Sequence, residues 1–346
     1  MTTVAERRSV LPPRASSHVV AELLFRFREL GIVLALALVV VPATVDNHRF
    51  LSTTNVQQIL SSTAIIALLA IGETVVVITR NVDLSVGSVL GISAYATGVL
   101  YVHHPHVSLL IVFLVAIAIG AACGVVNGLI VTVARVPSLV VTLGTLYVIR
   151  GIDGAWAGGN QVNASMLPNS FNKIGYGTLV GVPYLAIIAI VAVGIAGYAM
   201  RSFRTARDFY AIGSQPDAAR LAGIPVGKRV FLAFVFSGAM AGFAGAAWLS
   251  LYGSVDAIAG VGYEFQVIAA VVVGGVAIFG GSGTVLGAAL GALLLNTIYS
   301  ALVVVNVSSF WSQAFSGGLL VGAIAFDRLI SVRVAPALRS RRRVRV

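Results

Sequence analysis

TRNVDLSVGSVLG, residues 79–91, separates the apolar run IIALLAIGETVVVI (65–78) from ISAYATGVLYV (92–102). It sets an arginine, an asparagine, an aspartate, two serines and two glycines between two mostly apolar stretches. In a water-soluble chain such a segment would be a surface loop. The surroundings argue otherwise. The chain is 58% hydrophobic and only 10% charged, where a soluble domain carries about a quarter charged residues. Its mean hydropathy is +0.97, and several runs reach the roughly 18–20 apolar residues that cross a bilayer. The stretch is therefore a polar break between two membrane-crossing helices, and the fold is that of an all-α integral membrane protein.

Extending this reading along the chain gives about ten transmembrane helices, at 30–46, 56–79, 84–102, 108–134, 138–157, 181–200, 229–251, 264–279, 284–304 and 310–328. The third, fifth and eighth are rich in Gly, Ser and Thr and are expected to be broken or re-entrant, which is tolerated only where protein or a cavity covers the backbone. Basic residues set the orientation. With the N-terminus inside, all but Arg49, Arg150 and Lys173 of the 23 lysines and arginines fall on the cytosolic side, the bias that decides topology. Both termini are then cytosolic in a bacterial inner membrane. Residues 1–29 form a cytosolic tail without the apolar core of a leader, 30–328 the transmembrane domain with a cytosolic loop at 201–229, and 329–346 a basic tail. The net charge of +11 reads as membrane topology, with RSRRRVRV set against anionic lipid headgroups, and not as nucleic-acid binding. Cys123 is the single cysteine, so no intrachain disulfide forms.

Within the opening stretch, Asp83 sits where a carboxylate caps the positive end of the third helix. Ser85, Gly87 and Ser88 form a helix-packing motif that lets neighbours approach and hydrogen-bond; direct contact with a solute is the competing role. Glu73 lies within a spanning helix, which marks a candidate functional site. It joins Asn127, Thr142, Thr145 and Asn296 as candidates for a translocation pathway, with helix–helix adhesion as the plainer alternative. Arg150 and Asp153, near the outer end of the fifth helix, either pair or meet an extracytoplasmic protein partner, and Asp256 and Glu264, in the outer loop after the seventh helix, are further candidates for contact with that partner. His103, His104 and His106 flank Pro105 without a carboxylate nearby, so no metal site is assigned. GSVLG (87–91) returns as GTVLG (283–287), a faint internal repeat of the kind transporters contain.

The longest cytosolic connection, RSFRTARDFYAIGSQPDAARLAGIPVGKR (201–229), carries a helix signature. Ser214 is placed to cap, Pro216 suits the first turn and Asp217 favours the positive end. Gly223 closes the helix and Pro225 stops it. The expected helix, 216–222, leaves Ala218, Ala219, Leu221 and Ile224 with no cover in their own chain. Two uses fit equally: a peg that docks into a soluble partner, or a loop lying on the membrane surface.

YAIGSQPDAARLAGIPV (210–226) resembles the coupling loop of ATP-binding-cassette importer permeases, specifically the bacterial permeases for ribose, xylose, arabinose, rhamnose and related sugars. VDLSVGSVLG (82–91), NGLIVTVARVPSLVVTLGT (127–145), AGFAGAAWLS (241–250), GYEFQVIAAVVVGGVAIFGGSGTVLGAALGALL (262–294) and VSSFWSQAFSGGLLVGAIAFD (307–327) are similar to the same family in the same order. The resemblance implies a pore subunit that is not itself an enzyme and pairs with a second permease chain, identical or related. It implies a separate ATPase, which holds the ATP and Mg, docking on Ser214, Pro216, Asp217, Ala218, Ala219, Arg220, Leu221, Gly223 and Ile224. It also implies an extracytoplasmic binding protein that delivers a monosaccharide such as a pentose or deoxyhexose. Consistent with the first split, no G-x-x-x-x-G-K-[ST] phosphate loop occurs in the chain. The family usually has two glycines where this chain has Arg80-Asn81, a departure that suits a subgroup for deoxysugars or sugar-like signalling molecules.

Two other classes compete. An ion-coupled secondary transporter for a small polar solute predicts several charged groups along the spans, of which the sequence offers Glu73 and the end-located Asp153. A membrane enzyme needs a catalytic constellation at membrane depth, and none is legible.

Overall fold

Polar punctuation ends each apolar run, and the computed structural model follows it closely. It describes residues 28–305 and isolated positions between 311 and 325, so most of the expected tenth helix at 310–328, nearly all of the N-terminal tail and the whole C-terminal tail lie outside the described residues. The helices are α1 (Arg28–Asp46), α2 (Thr53–Ile78), α3 (Val86–His103), α4 (Leu109–Thr132), α5 (Ser138–Ala157), α6 (Asn169–Tyr176), α7 (Tyr184–Ser202), α8 (Arg204–Ser214), α9 (Pro216–Leu221), α10 (Val226–Tyr252), α11 (Tyr263–Val273) and α12 (Val285–Val304). Seven of them, α2–α5, α7, α10 and α12, are long and apolar enough to cross a membrane, and α1 and α11 carry shorter apolar segments.

α2 is the central pillar. Ser52 caps it by accepting from the Asn55 N–H, and from Thr63 to Thr79 every residue is buried. At about 1.5 Å per residue its 26 residues span the roughly 30 Å of a bilayer core with length to spare. α10 packs on α2 and more closely still on α4. Their seam is built from glycines: a Cβ at Gly120 would strike the Gly238 carbonyl, one at Gly124 the Phe234 carbonyl, and one at Gly242 the Ala116 carbonyl. In lipid, where no hydrophobic force draws apolar helices together, such close backbone approach supplies the dispersion contact that holds them.

Two backbone breaks matter for function. The first is the opening stretch, where α2 ends at Ile78 and α3 begins at Val86. The second follows α11. The sequence suggested a helix to residue 279, but α11 stops at Val273, and Gly275, Gly280, Gly281 and Gly283 turn the chain back with φ of 91°, 82°, 79° and 135°. The eighth segment is thus a short helix that breaks off at a glycine turn, the broken form of the two expected. The third and fifth are not broken: α3 and α5 run as continuous helices of 18 and 20 residues, with no Pro inside either to interrupt the ladder. The two breaks touch, with the Gly281 N–H donating to the Ile78 carbonyl at 2.9 Å.

The segment between α5 and α7 holds structure that the sequence reading left as loop. α6 fills it with Phe171 fully buried against Tyr101, and a two-residue hairpin pairs Thr178–Leu179 with Val182–Pro183. This hairpin is the only sheet among the described residues.

Candidate functional site

The opening stretch forms a polar knot at the junction of four spanning helices. The Asp83 N–H donates to Glu73 Oε1 of α2 at 3.1 Å. Asp83 Oδ1 accepts from both the N–H and the hydroxyl of Ser85, at 3.0 and 2.6 Å. Asp83 Oδ2 accepts from the Ser237 hydroxyl of α10 at 3.1 Å. Ser85 Oγ in turn accepts from Asn127 Nδ2 of α4 at 2.8 Å. From α5, the Ser138 hydroxyl oxygen accepts the Val82 N–H at 3.3 Å, and the Thr142 hydroxyl donates to the Val82 carbonyl at 3.2 Å. Glu73, Asp83, Ser85, Asn127, Thr142 and Ser237 are at most 1% exposed. A backbone that left its helix at this depth would be costly if unpaired, and these side chains pair it. Glu73 Oε2 and Asn127 Oδ1 remain without partners.

This corrects the expected cap. The residue at the start of α3 is Ser85, in αR geometry with no side-chain cap bond. Asp83 ties the break to α10 and closes a local turn with Ser85. Ser88 also turns inward, donating to the Ser85 carbonyl at 2.8 Å, and so does not bridge helices. Gly87 does pack closely: a Cβ there would strike the Gly260 carbonyl and Glu264. Of the five pathway candidates, Glu73, Asn127 and Thr142 meet in the knot. Thr145 bonds only back to the Thr142 carbonyl of its own helix, and Asn296 lies apart on α12.

Below the knot, the loop at 201–229 is an elbow of two helices. The sequence reading missed the first, α8, whose polar residues hide a buried stripe of Ala206, Asp208, Phe209, Ile212 and Gly213. The second, α9, begins with Pro216 in its first turn, but the residue before it is Gln215 and no side chain caps it. Ser214 instead ends α8, a second correction. Gly223 closes α9 as expected, with φ 79°. The Gly223 and Ile224 N–H groups donate to the Arg220 and Ala219 carbonyls at 3.0 Å each.

The elbow is held from below the break by contacts distant in sequence. Arg80 donates through Nε to the Gly213 carbonyl at 2.6 Å and through Nη2 to the Ser214 carbonyl at 2.8 Å. These are last-turn carbonyls of α8, where a cation also meets the negative helix end. Gly213 packs so near Ile78 that a Cβ would strike its carbonyl. The Tyr210 hydroxyl donates to the Gly283 carbonyl at 3.0 Å, and burial pushes this phenol up, so it stays a donor. Arg229 at the start of α10 pairs with Asp208 of α8 at 2.8 Å. Arg80, Asp208 and Tyr210 were not foreseen, because their partners lie 21 to 134 residues away.

What the elbow presents outward is α9. Leu221 is 91% exposed, whereas Ala219 is buried. Ala218 is exposed, and Asp217 and Arg220 pair with each other in solvent at 3.1 Å. At the opposite end, Arg150 and Asp153 form no ion pair, the first of the two readings given for them. Arg150 donates to the Ala259 carbonyl, and both Asp153 carboxylate oxygens lack a hydrogen-bond partner. Glu264 is buried and accepts from the Gly262 N–H, so it offers no free surface charge.

Comparison with known proteins gives a consistent answer. The family model for the branched-chain amino acid transport system permease component matches residues 55–324. The chain is similar to the autoinducer 2 import system permease protein LsrC of Enterobacter sp. strain 638, 37% identical over 304 residues and 88% of both chains. The LsrC proteins of Klebsiella pneumoniae and Escherichia coli K12 are 36% and 34% identical, over 88% and 87% of this chain and 87% and 86% of theirs. No solved structure matches.

Proposed function

The chain belongs to this family of permease components, the membrane subunits of ATP-binding-cassette importers, and we propose that it passes a small sugar-like molecule into the cytoplasm by alternating access. The LsrC relatives are named for autoinducer 2 import, and that molecule joins pentoses and deoxyhexoses as the substrate class. ATP and Mg act on a partner ATPase, a binding protein delivers the solute outside, and a second permease chain completes the pore. Both termini are cytosolic.

The observation that carries this reading is the elbow. α9 offers Leu221 to solvent while Arg80, Gly213 and Tyr210 fix the rest of the elbow to both backbone breaks and Asp208 ties it to Arg229 of α10. A partner that pushes α9 therefore moves the inner ends of α2 and α12 and, through residues 80–85, the knot that joins α2, α4, α5 and α10. That is a population shift driven by differential contacts with a partner. Glu73 and Asp83 are the buried acids that an ion-coupled carrier would also possess, so the test separates the two. Uptake of labelled sugars and of autoinducer 2 is measured in cells lacking the ATPase encoded with the permease. Loss of uptake is expected; uptake that persists and collapses with the proton gradient overturns the proposal in favour of ion coupling.

A further inference from the structure

At the end of the molecule opposite the elbow, α2 and α12 part to leave a cleft of about 230 Å³. The two helices run antiparallel: the end of α2 meets the turn before α12 at Ile78 and Gly281, and the start of α2 meets the end of α12 where the Ser300 hydroxyl donates to Asn55 Oδ1 at 3.0 Å. The cleft thus opens on the outer half of the protein. Its walls are two facing polar stripes at helical spacing, Asn55, Gln58 and Ser62 on α2 and Asn296, Tyr299 and Ser300 on α12. Ile59 and Val303 add apolar surface between them.

The chemistry of this lining is narrow. Every polar group is an amide or a hydroxyl, each able both to donate and to accept, and no Asp, Glu, Lys or Arg contributes. Asn296 is 9% exposed and its Nδ2 has no hydrogen-bond partner. A buried amide left in that state is costly unless something fills the site. We propose that this cleft is an outer resting site for the transported solute and that it selects uncharged polyhydroxylated molecules, with Asn296 Nδ2 donating to a solute hydroxyl. Hydroxyls match amide and hydroxyl walls, and Ile59 and Val303 suit the apolar face of a sugar ring. A zwitterionic amino acid would find hydrogen bonds there but no opposite charge for its ammonium or carboxylate, so the cleft favours uncharged solutes over amino acids despite the wording of the family description.

This inference rests on the transport reading above, and the experiment separates the two. In the native cells, uptake of labelled D-ribose, D-xylose, L-rhamnose, autoinducer 2 and L-leucine is compared for wild type, Asn296→Leu and Gln58→Leu at equal membrane abundance. The KM for the imported sugar is expected to rise at least tenfold in both variants, with leucine not imported. In a Cys123→Ser background, Ser62→Cys is expected to react with a membrane-impermeant maleimide from outside and to react at least fivefold more slowly in saturating transported sugar. Sugar import by wild type with KM unchanged in both variants, or labelling of Ser62→Cys that sugar does not slow, overturns the cleft and leaves the transport reading standing. Import of leucine but of no sugar by wild type overturns both.

Discussion

Arg80 is expected to be the clamp that sets how firmly the elbow follows the membrane helices, and its backbone makes the expectation sharp. The guanidinium donates to the Gly213 and Ser214 carbonyls, and hydrogen bonds to charged groups contribute about 1.5–3 kcal/mol each when shielded. Arg80 is exposed, so screening reduces each to about 1 kcal/mol, and Arg80→Ala should loosen the end of α8 by about 2 kcal/mol. The same residue has φ 68°, left-handed geometry that costs a non-glycine residue about 1–2 kcal/mol and glycine nothing. Arg80→Gly loses the same bonds but recovers about 1 kcal/mol of this strain, a net cost of about 1 kcal/mol. Amide hydrogen exchange of the full chain in nanodiscs reads the difference directly. The amides of 211–215 should exchange about 30-fold faster in Arg80→Ala and about 5-fold faster in Arg80→Gly, since 2 and 1 kcal/mol correspond to those factors. Exchange within twofold of wild type in Arg80→Ala would refute the clamp, and faster exchange in Arg80→Gly than in Arg80→Ala would refute the strain argument.

Other expectations follow from the same geometry. Leu221→Asp should leave thermal unfolding unchanged, since the side chain is almost wholly exposed, yet lower recovery of the ATPase in co-purification by about tenfold, as loss of a buried apolar anchor does at an interface. Gly213→Ala should push α8 off the Ile78 carbonyl at a cost of about 1–3 kcal/mol for overpacking, seen as a lower unfolding midpoint and as ATP hydrolysis no longer stimulated by solute. Asp83→Ala strands the Ser85 N–H and the Ser85 and Ser237 hydroxyls and should cost about 3–5 kcal/mol as three buried donors lose their acceptor. Asp83→Asn, which keeps an acceptor oxygen, should cost less than half of that in the same unfolding assay.

Legibility in the sequence tracked the range of the physical cause. Pro216 and Gly223 act on their own helix turn, so α9 was placed within a residue of its observed end. The apolar runs that became α2–α5, α7, α10 and α12 were equally plain, because burial in lipid acts on every residue of a span. Ser214 misled: serine before a proline reads as a cap, but here a preceding helix, α8, claims it. That helix was invisible because its inward face is small and mixed, with Asp208 neutralised by Arg229 from a different element. Asp83 misled in a similar way. A carboxylate ahead of a helix suggests a cap, and nothing local announces that Ser237, 154 residues on, will accept the role of partner.

Arg80-Asn81 shows how a position that local sequence explains only in part takes its reason from contacts distant in the chain. Charge bias placed Arg80 at the inner face, and the family resemblance marked it as standing where glycine is usual. The positive φ explains why glycine suits the turn, and the bonds to Gly213 and Ser214 explain what an arginine adds in exchange for the strain. The net effect is modest: about 2 kcal/mol of clamping against about 1 kcal/mol of backbone cost leaves about 1 kcal/mol in favour of the clamp. A clamp so modest holds the elbow in one pose without locking it. A permease that must change shape in every cycle requires that, since a contact much stronger than the work delivered by its partner would trap one state.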